Sequence, residues 1–100
     1  MRATTKSRSL WLIGAGSMAR EYSRVLLALG RTFTVIGRSE RSAAVFEKTV
    51  DVPVHRGGLA SALIDSDPPD MAIVAVGVDQ LATATSQLVE AGCGRVLVEK

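Results

Sequence analysis

The chain has a single cysteine, a single histidine and four aromatic side chains in 100 residues. Cys93 alone can form no internal disulfide and no zinc site, which fits a reducing, cytoplasmic setting. It lies between Gly92 and Gly94 and reads as a turn residue rather than a nucleophile. His55 alone excludes a histidine cluster, so no metal is expected. Apolar runs stay short of the roughly eighteen residues that a membrane span needs. Net charge is equally slight: 12 basic and 10 acidic side chains leave +2, too little to imply nucleic acid. Arg2, Lys6 and Arg8 account for that excess, so residues 1–9 are expected to form a disordered basic tail.

What remains is one apolar domain, residues 10–100, which holds all nine glycines of a chain that is 47 % hydrophobic. Leu10-Trp11-Leu12-Ile13 reads as a buried strand that runs into Gly14-Ala15-Gly16-Ser17-Met18-Ala19. A helix then places Met18, Tyr22, Val25, Leu26 and Leu29 on one face, and Gly30 ends it. Strand, glycine turn and helix in this order are the pattern of a dinucleotide-binding unit. Gly14 supplies the tight turn and Gly16 a bare backbone for a diphosphate, flanked by Ser17 and Met18. Ala19 keeps the helix close to the strand.

The alternation continues. Thr32–Gly37 is expected as strand two, and a helix capped by Ser39 carries Ala43, Phe46 and Val50 inward. Val52–His55 reads as an edge strand, Gly57-Gly58 opens a short helix, and residues 65–70 form a loop. Met71–Val76 is a central strand, a helix covers about 79–91, and Arg95–Glu99 is strand five. The expected architecture is a Rossmann-like α/β fold: a doubly wound parallel sheet of about five strands in order 3-2-1-4-5.

The end of strand two bears on the choice of nucleotide. An NAD site places an acid there, about twenty residues past the glycine turn. Here Gly37 stands in that place, followed by Arg38, Ser39, Glu40 and Arg41. Glycine leaves room for a 2′-phosphate, which Arg38 can grip with help from Ser39 and Arg41. NADP is therefore expected in preference to NAD.

Three segments together carry a family resemblance. The glycine turn, the strand Asp70-Met71-Ala72-Ile73-Val74-Ala75 and the ending AGCGRVLVEK resemble the N-terminal half of a Gfo/Idh/MocA-type oxidoreductase. The family pattern at that ending is aGkhVlvEKP. The resemblance spans residues 10–100 and implies an enzyme that moves a hydride between nicotinamide and a hydroxyl or carbonyl carbon of a sugar-like or polyol substrate. It implies Lys100 as the catalytic lysine and Glu99 as a contact of the nicotinamide-side ribose. Val76, Gly77 and Val78 would line the cofactor, and Gln80 stands where the family commonly has histidine. The family continues into an α+β domain that binds substrate and supports oligomers. The chain thus reads as truncated before that domain and as unable to catalyse alone. Two other readings stay open: an NADPH enzyme resembling pyrroline-carboxylate reductase or glutamyl-tRNA reductase, and a non-catalytic nucleotide-sensing module.

Overall fold

The computed structural model describes residues 9–99. Lys100 and residues 1–8 of the expected tail lie outside the described residues. Five strands and four helices alternate: β1 (Leu10–Ile13), α1 (Ser17–Ala28), β2 (Thr34–Ile36), α2 (Glu40–Val50), β3 (Val54–His55), α3 (Gly58–Asp65), β4 (Met71–Val74), α4 (Val78–Ala91) and β5 (Arg95–Val98). The strands form one parallel sheet in the order β3-β2-β1-β4-β5, as the sequence pattern implies.

Successive side chains on a strand point to opposite faces. Leu10 and Leu12 of β1 therefore join Ala19 and Leu26 of α1 and Ala43 and Phe46 of α2 in one core. Trp11 and Ile13 join Leu59 and Ala62 of α3 and Ala84 and Leu88 of α4 in the other. Both faces of β1 are covered, which is why it is apolar without alternation. On the α1 side, Leu10, Leu26, Met71, Ile73 and Leu97 also line an open apolar groove of about 470 Å³ towards β5.

The strands are shorter than the sequence suggests. β2 loses residues 32, 33 and 37, β3 loses 52 and 53, and β4 stops at Val74. At the carboxyl ends of β2 and β4, the turn at Gly14 ends the ladder that β1 offers its neighbours. Single bonds carry the pairing one residue further, from the Ala75 N–H to the Ile13 carbonyl (2.9 Å) and from the Glu99 N–H to the Val74 carbonyl (2.9 Å). At the other end the Ser9 N–H donates to Asp70 Oδ2 (2.9 Å), and the Asp70 N–H donates to Ser9 Oγ (2.9 Å). Ser9 therefore belongs to the fold and not to the basic tail. Asp65, expected in the loop, is the last residue of α3.

The buried face of α1 is also corrected. Ala19, Ser23 and Leu26 face the sheet, with Tyr22 half-buried beside them, whereas Met18, Val25 and Leu29 are 43 %, 56 % and 74 % exposed. A stripe of small side chains lets the helix approach β1 closely, and that contact outweighs burial of the bulkier stripe. Gly30 ends α1 in the left-handed region (φ +71°). Its N–H reaches the Leu27 carbonyl (3.0 Å) and the Arg31 N–H the Leu26 carbonyl (2.9 Å), satisfying two open carbonyls.

α2 behaves as expected: Ser39 Oγ accepts from the Ser42 N–H (3.3 Å), and Ala43 and Phe46 are buried. Glu47 ties α2 to the edge strand. It accepts from the Val54 N–H (2.8 Å) and from both terminal nitrogens of Arg56 (2.8 and 3.0 Å).

Phe46 is fully buried, so Phe46→Ala should cost about 3–5 kcal/mol in urea unfolding. Ser23→Ala should raise stability in the same assay, because Ser23 Oγ is buried with no hydrogen-bond partner among the described residues. The Arg56 hydrogen bonds and that of Val54 hold the Glu47 carboxyl at about 2, below its usual 4.5. Its contribution is present above pH 4.5 and is lost as pH falls towards 2. Glu47→Gln should therefore flatten that part of the acid-unfolding curve, followed by circular dichroism.

Candidate nucleotide site

In a doubly wound sheet, ligands bind outside the carboxyl ends of the strands where the strand order reverses. Here that point lies between β1 and β4, and a cleft of about 630 Å³ opens there. Four turns build it: residues 14–18 after β1, 37–39 after β2, 57–58 after β3 and 75–77 after β4.

The first turn is wedged between its neighbours. The Gly14 N–H donates to the Ile36 carbonyl of β2 at 2.7 Å. On the other side, a Cβ at Gly14 would stand 2.3 Å from the Ala75 carbonyl oxygen, and φ is +120°. Both the space and the dihedral require glycine. Gly16 is different. A Cβ there would meet nothing within 4 Å, so its bareness leaves open space over the start of α1. Gly16 is the N-cap of α1, no side chain caps that end, and no acid lies in the first turn. The open N–H groups and the positive end of the helix dipole are thus left for an anion. Ala19 is fully buried beneath the turn and sets the helix close to the strand.

The structure gives a different reason for Gly37. A Cβ there would lie 2.9 Å from Val54 Cγ1 and 3.3 Å from Ala15 Cβ, so packing within the fold requires this glycine. The side chain that does reach the cleft after β2 is Arg38, beside Ser39 and Ser42. The Arg38 guanidinium has no hydrogen bond or ion pair among the described residues. Its stem passes over Gly58, where a Cβ would stand 3.6 Å from Arg38 Cγ. Ser39 Oγ spends an acceptor site on its helix cap, which leaves the hydroxyl proton to donate.

Gly14, Gly16, Ser17, Met18, Arg38, Ser39, Val76 and Gly77 all line the cleft, and Gln80 of α4 joins them. Arg41 and Val78 do not: both are exposed, outside the lining. Glu99 also lies outside it, and its Oε1 accepts a hydrogen bond from the Tyr22 hydroxyl of α1. That bond raises the Tyr22 phenol above its usual pKa. Lys100 is beyond the described residues. Sequence reasoning missed the contribution of Gly57 and Gly58 to the wall. Their signal was the Gly-Gly pair itself, since both adopt positive φ (+104° and +84°). Cys93 keeps a structural place: burial pushes its thiol pKa up, the opposite of an activated nucleophile. No group of three or more metal-ligating side chains occurs among the described residues, and no described helix is long and apolar enough to cross a membrane.

No protein-family profile matches this chain, and neither does any curated protein. Solved structures do match. GenD2 from gentamicin A biosynthesis, in complex with NAD, is 26 % identical with a TM-score of 0.76 over 99 % of this chain and 28 % of its own. The UDP-N-acetylglucosamine 3-dehydrogenase GnnA from Acidithiobacillus ferrooxidans is 17 % identical (TM-score 0.71), over 93 % of this chain and 28 % of its own. Biliverdin reductase from Synechocystis, in complex with biliverdin and NADP+, is 22 % identical (TM-score 0.68), over 92 % of this chain and 29 % of its own. Two of these neighbours hold a nicotinamide dinucleotide, NAD in GenD2 and NADP+ in the biliverdin reductase. This chain shares the fold of a nucleotide-binding domain with them and spans under a third of their length.

Gly14→Ala should fold poorly or lose the cleft, whereas Gly16→Ala should keep the melting temperature and lose nucleotide affinity. Thermal melts and fluorescence titration with NADPH measure the two effects separately.

Proposed function

We propose that this domain binds NADP and presents its nicotinamide for hydride transfer to or from a hydroxyl or carbonyl carbon. The observation that carries this reading is the charge of the cleft. Among the described residues lining it, Arg38 is the charged side chain and no carboxylate is present. A dinucleotide brings a diphosphate, and the 2′-phosphate of NADP adds a further anion. The start of α1 suits the first, and the guanidinium of Arg38 with the Ser39 hydroxyl suits the second.

The residues fit the cofactor, which when bound would supply a hydride donor or acceptor. The chain's own part is to hold and orient it. Gly14 and Ala19 fix the turn, Gly16 leaves room for close approach, and Val76, Gly77 and Gln80 form the wall on the β4 side. By family resemblance, Lys100 would hydrogen-bond the reacting oxygen of the substrate and help move its proton. Glu99 would reach the nearby ribose once released from Tyr22. Sugar-like or polyol substrates follow from the same resemblance, with a further domain holding them and hosting any oligomer contact. A cytoplasmic setting is consistent with the lone cysteine.

The test is titration of NADPH and NADH against the native chain and Arg38→Ala. A lost bidentate, charge-assisted contact should weaken NADPH roughly 10- to 100-fold and leave NADH nearly unchanged. Equal losses for both cofactors would contradict the 2′-phosphate assignment.

A further inference from the structure

A carboxylate stands close to where the 2′-phosphate is placed. Glu40 is the first residue of α2, directly after Ser39 and two positions from Arg38. Left free, it would repel a phosphate at that helix start or compete for the Arg38 guanidinium. It is held elsewhere. Arg56 Nε donates to Glu40 Oε1 at 2.8 Å, while its two terminal nitrogens bind Glu47 at 2.8 and 3.0 Å. Arg56 immediately precedes Gly57 and Gly58, which line the same end of the cleft. One guanidinium therefore draws in two carboxylates of α2 behind the wall of the site, while the neighbouring guanidinium of Arg38 is left unengaged among the described residues.

We propose that Arg56 is a specificity-determining positioning residue: by holding and neutralising Glu40, it keeps the start of α2 fit to receive a phosphate. The inference rests on the 2′-phosphate reading above. Arg56 also pins β3 to α2, since its terminal nitrogens reach Glu47 of α2 while one of them also meets the Val54 carbonyl of β3 (3.3 Å). That role is purely structural, and it would affect NADPH and NADH alike. The charge role affects NADPH alone, and it disappears when Glu40 is neutral.

The experiment compares NADPH and NADH affinities of the native chain, Arg56→Gln, Glu40→Gln and the double variant, with Arg38→Ala alongside. Glu40 is exposed and acts across solvent, so the effect is modest and screened by salt. Arg56→Gln should weaken NADPH by about threefold to tenfold at low ionic strength, with NADH unchanged and the difference fading at high salt. Glu40→Gln alone should change little, and the double variant should recover native NADPH affinity. Parallel losses for both nucleotides, no loss, or failure of Glu40→Gln to rescue would each overturn the proposal. Where Arg56→Gln does not fold, Glu47→Gln/Arg56→Gln removes the stranded partner and carries the same comparison with and without Glu40→Gln. A selective effect of Arg38→Ala with an unselective one at Arg56 overturns this inference and leaves the 2′-phosphate reading standing. An unselective Arg38→Ala defeats both.

Discussion

Everything at the nucleotide rim depends on how closely the main chain at Gly14 passes the main chain at Ala75. A single carbon on Gly14 would lie 2.3 Å from the Ala75 carbonyl oxygen, a distance at which one strand must move. The opposite side is tied by the 2.7 Å bond from the Gly14 N–H to Ile36. The turn is thus fixed from β2 and β4 together, and it delivers the uncapped start of α1 to the point where the sheet reverses order. Fold and site share one constraint here: the same backbone approach that closes the sheet aims the N–H groups at the cleft.

The electrostatics follow a matching division. Arg38 lines the cleft, while Arg56 is committed to Glu40 and Glu47 behind the wall. The Glu40 side of this arrangement is exposed and contributes little to stability, whereas the half-buried pair with Glu47 ties the end of β3 to α2. Tyr22 and Glu99 make a similar link on the other side of α1, joining the helix that starts at the glycine turn to the end of β5.

Much of this was legible in the sequence because the signals were redundant. The apolar run of Leu10–Ile13, the glycines that follow and the apolar strand at Met71 each pointed to a buried parallel sheet, and the observed order β3-β2-β1-β4-β5 agrees. The Ser39 cap and the inward positions of Ala43 and Phe46 were equally plain, since they depend on local chemistry. What escaped was set by tertiary contact. The face of α1 was assigned to bulky Val25 and Leu29, but close packing on β1 selects Ala19 and Ser23. Gly37 was read as space for a ligand, whereas Val54 and Ala15 occupy the space its side chain would need. The pairing of Arg56 with Glu40 and Glu47 spans 16 and 9 residues, and no helical or strand periodicity announces it.

The central claim is that the first turn offers bare main-chain amides to a diphosphate. The most direct measurement is an NMR titration of the ¹⁵N-labelled chain with NADPH, following each amide. The account predicts saturable shifts concentrated at Gly14, Gly16, Ser17 and Met18, with a second group at Arg38 and Ser39. Shifts confined to the groove of Leu10, Leu26 and Leu97, or spread without saturation, would contradict it.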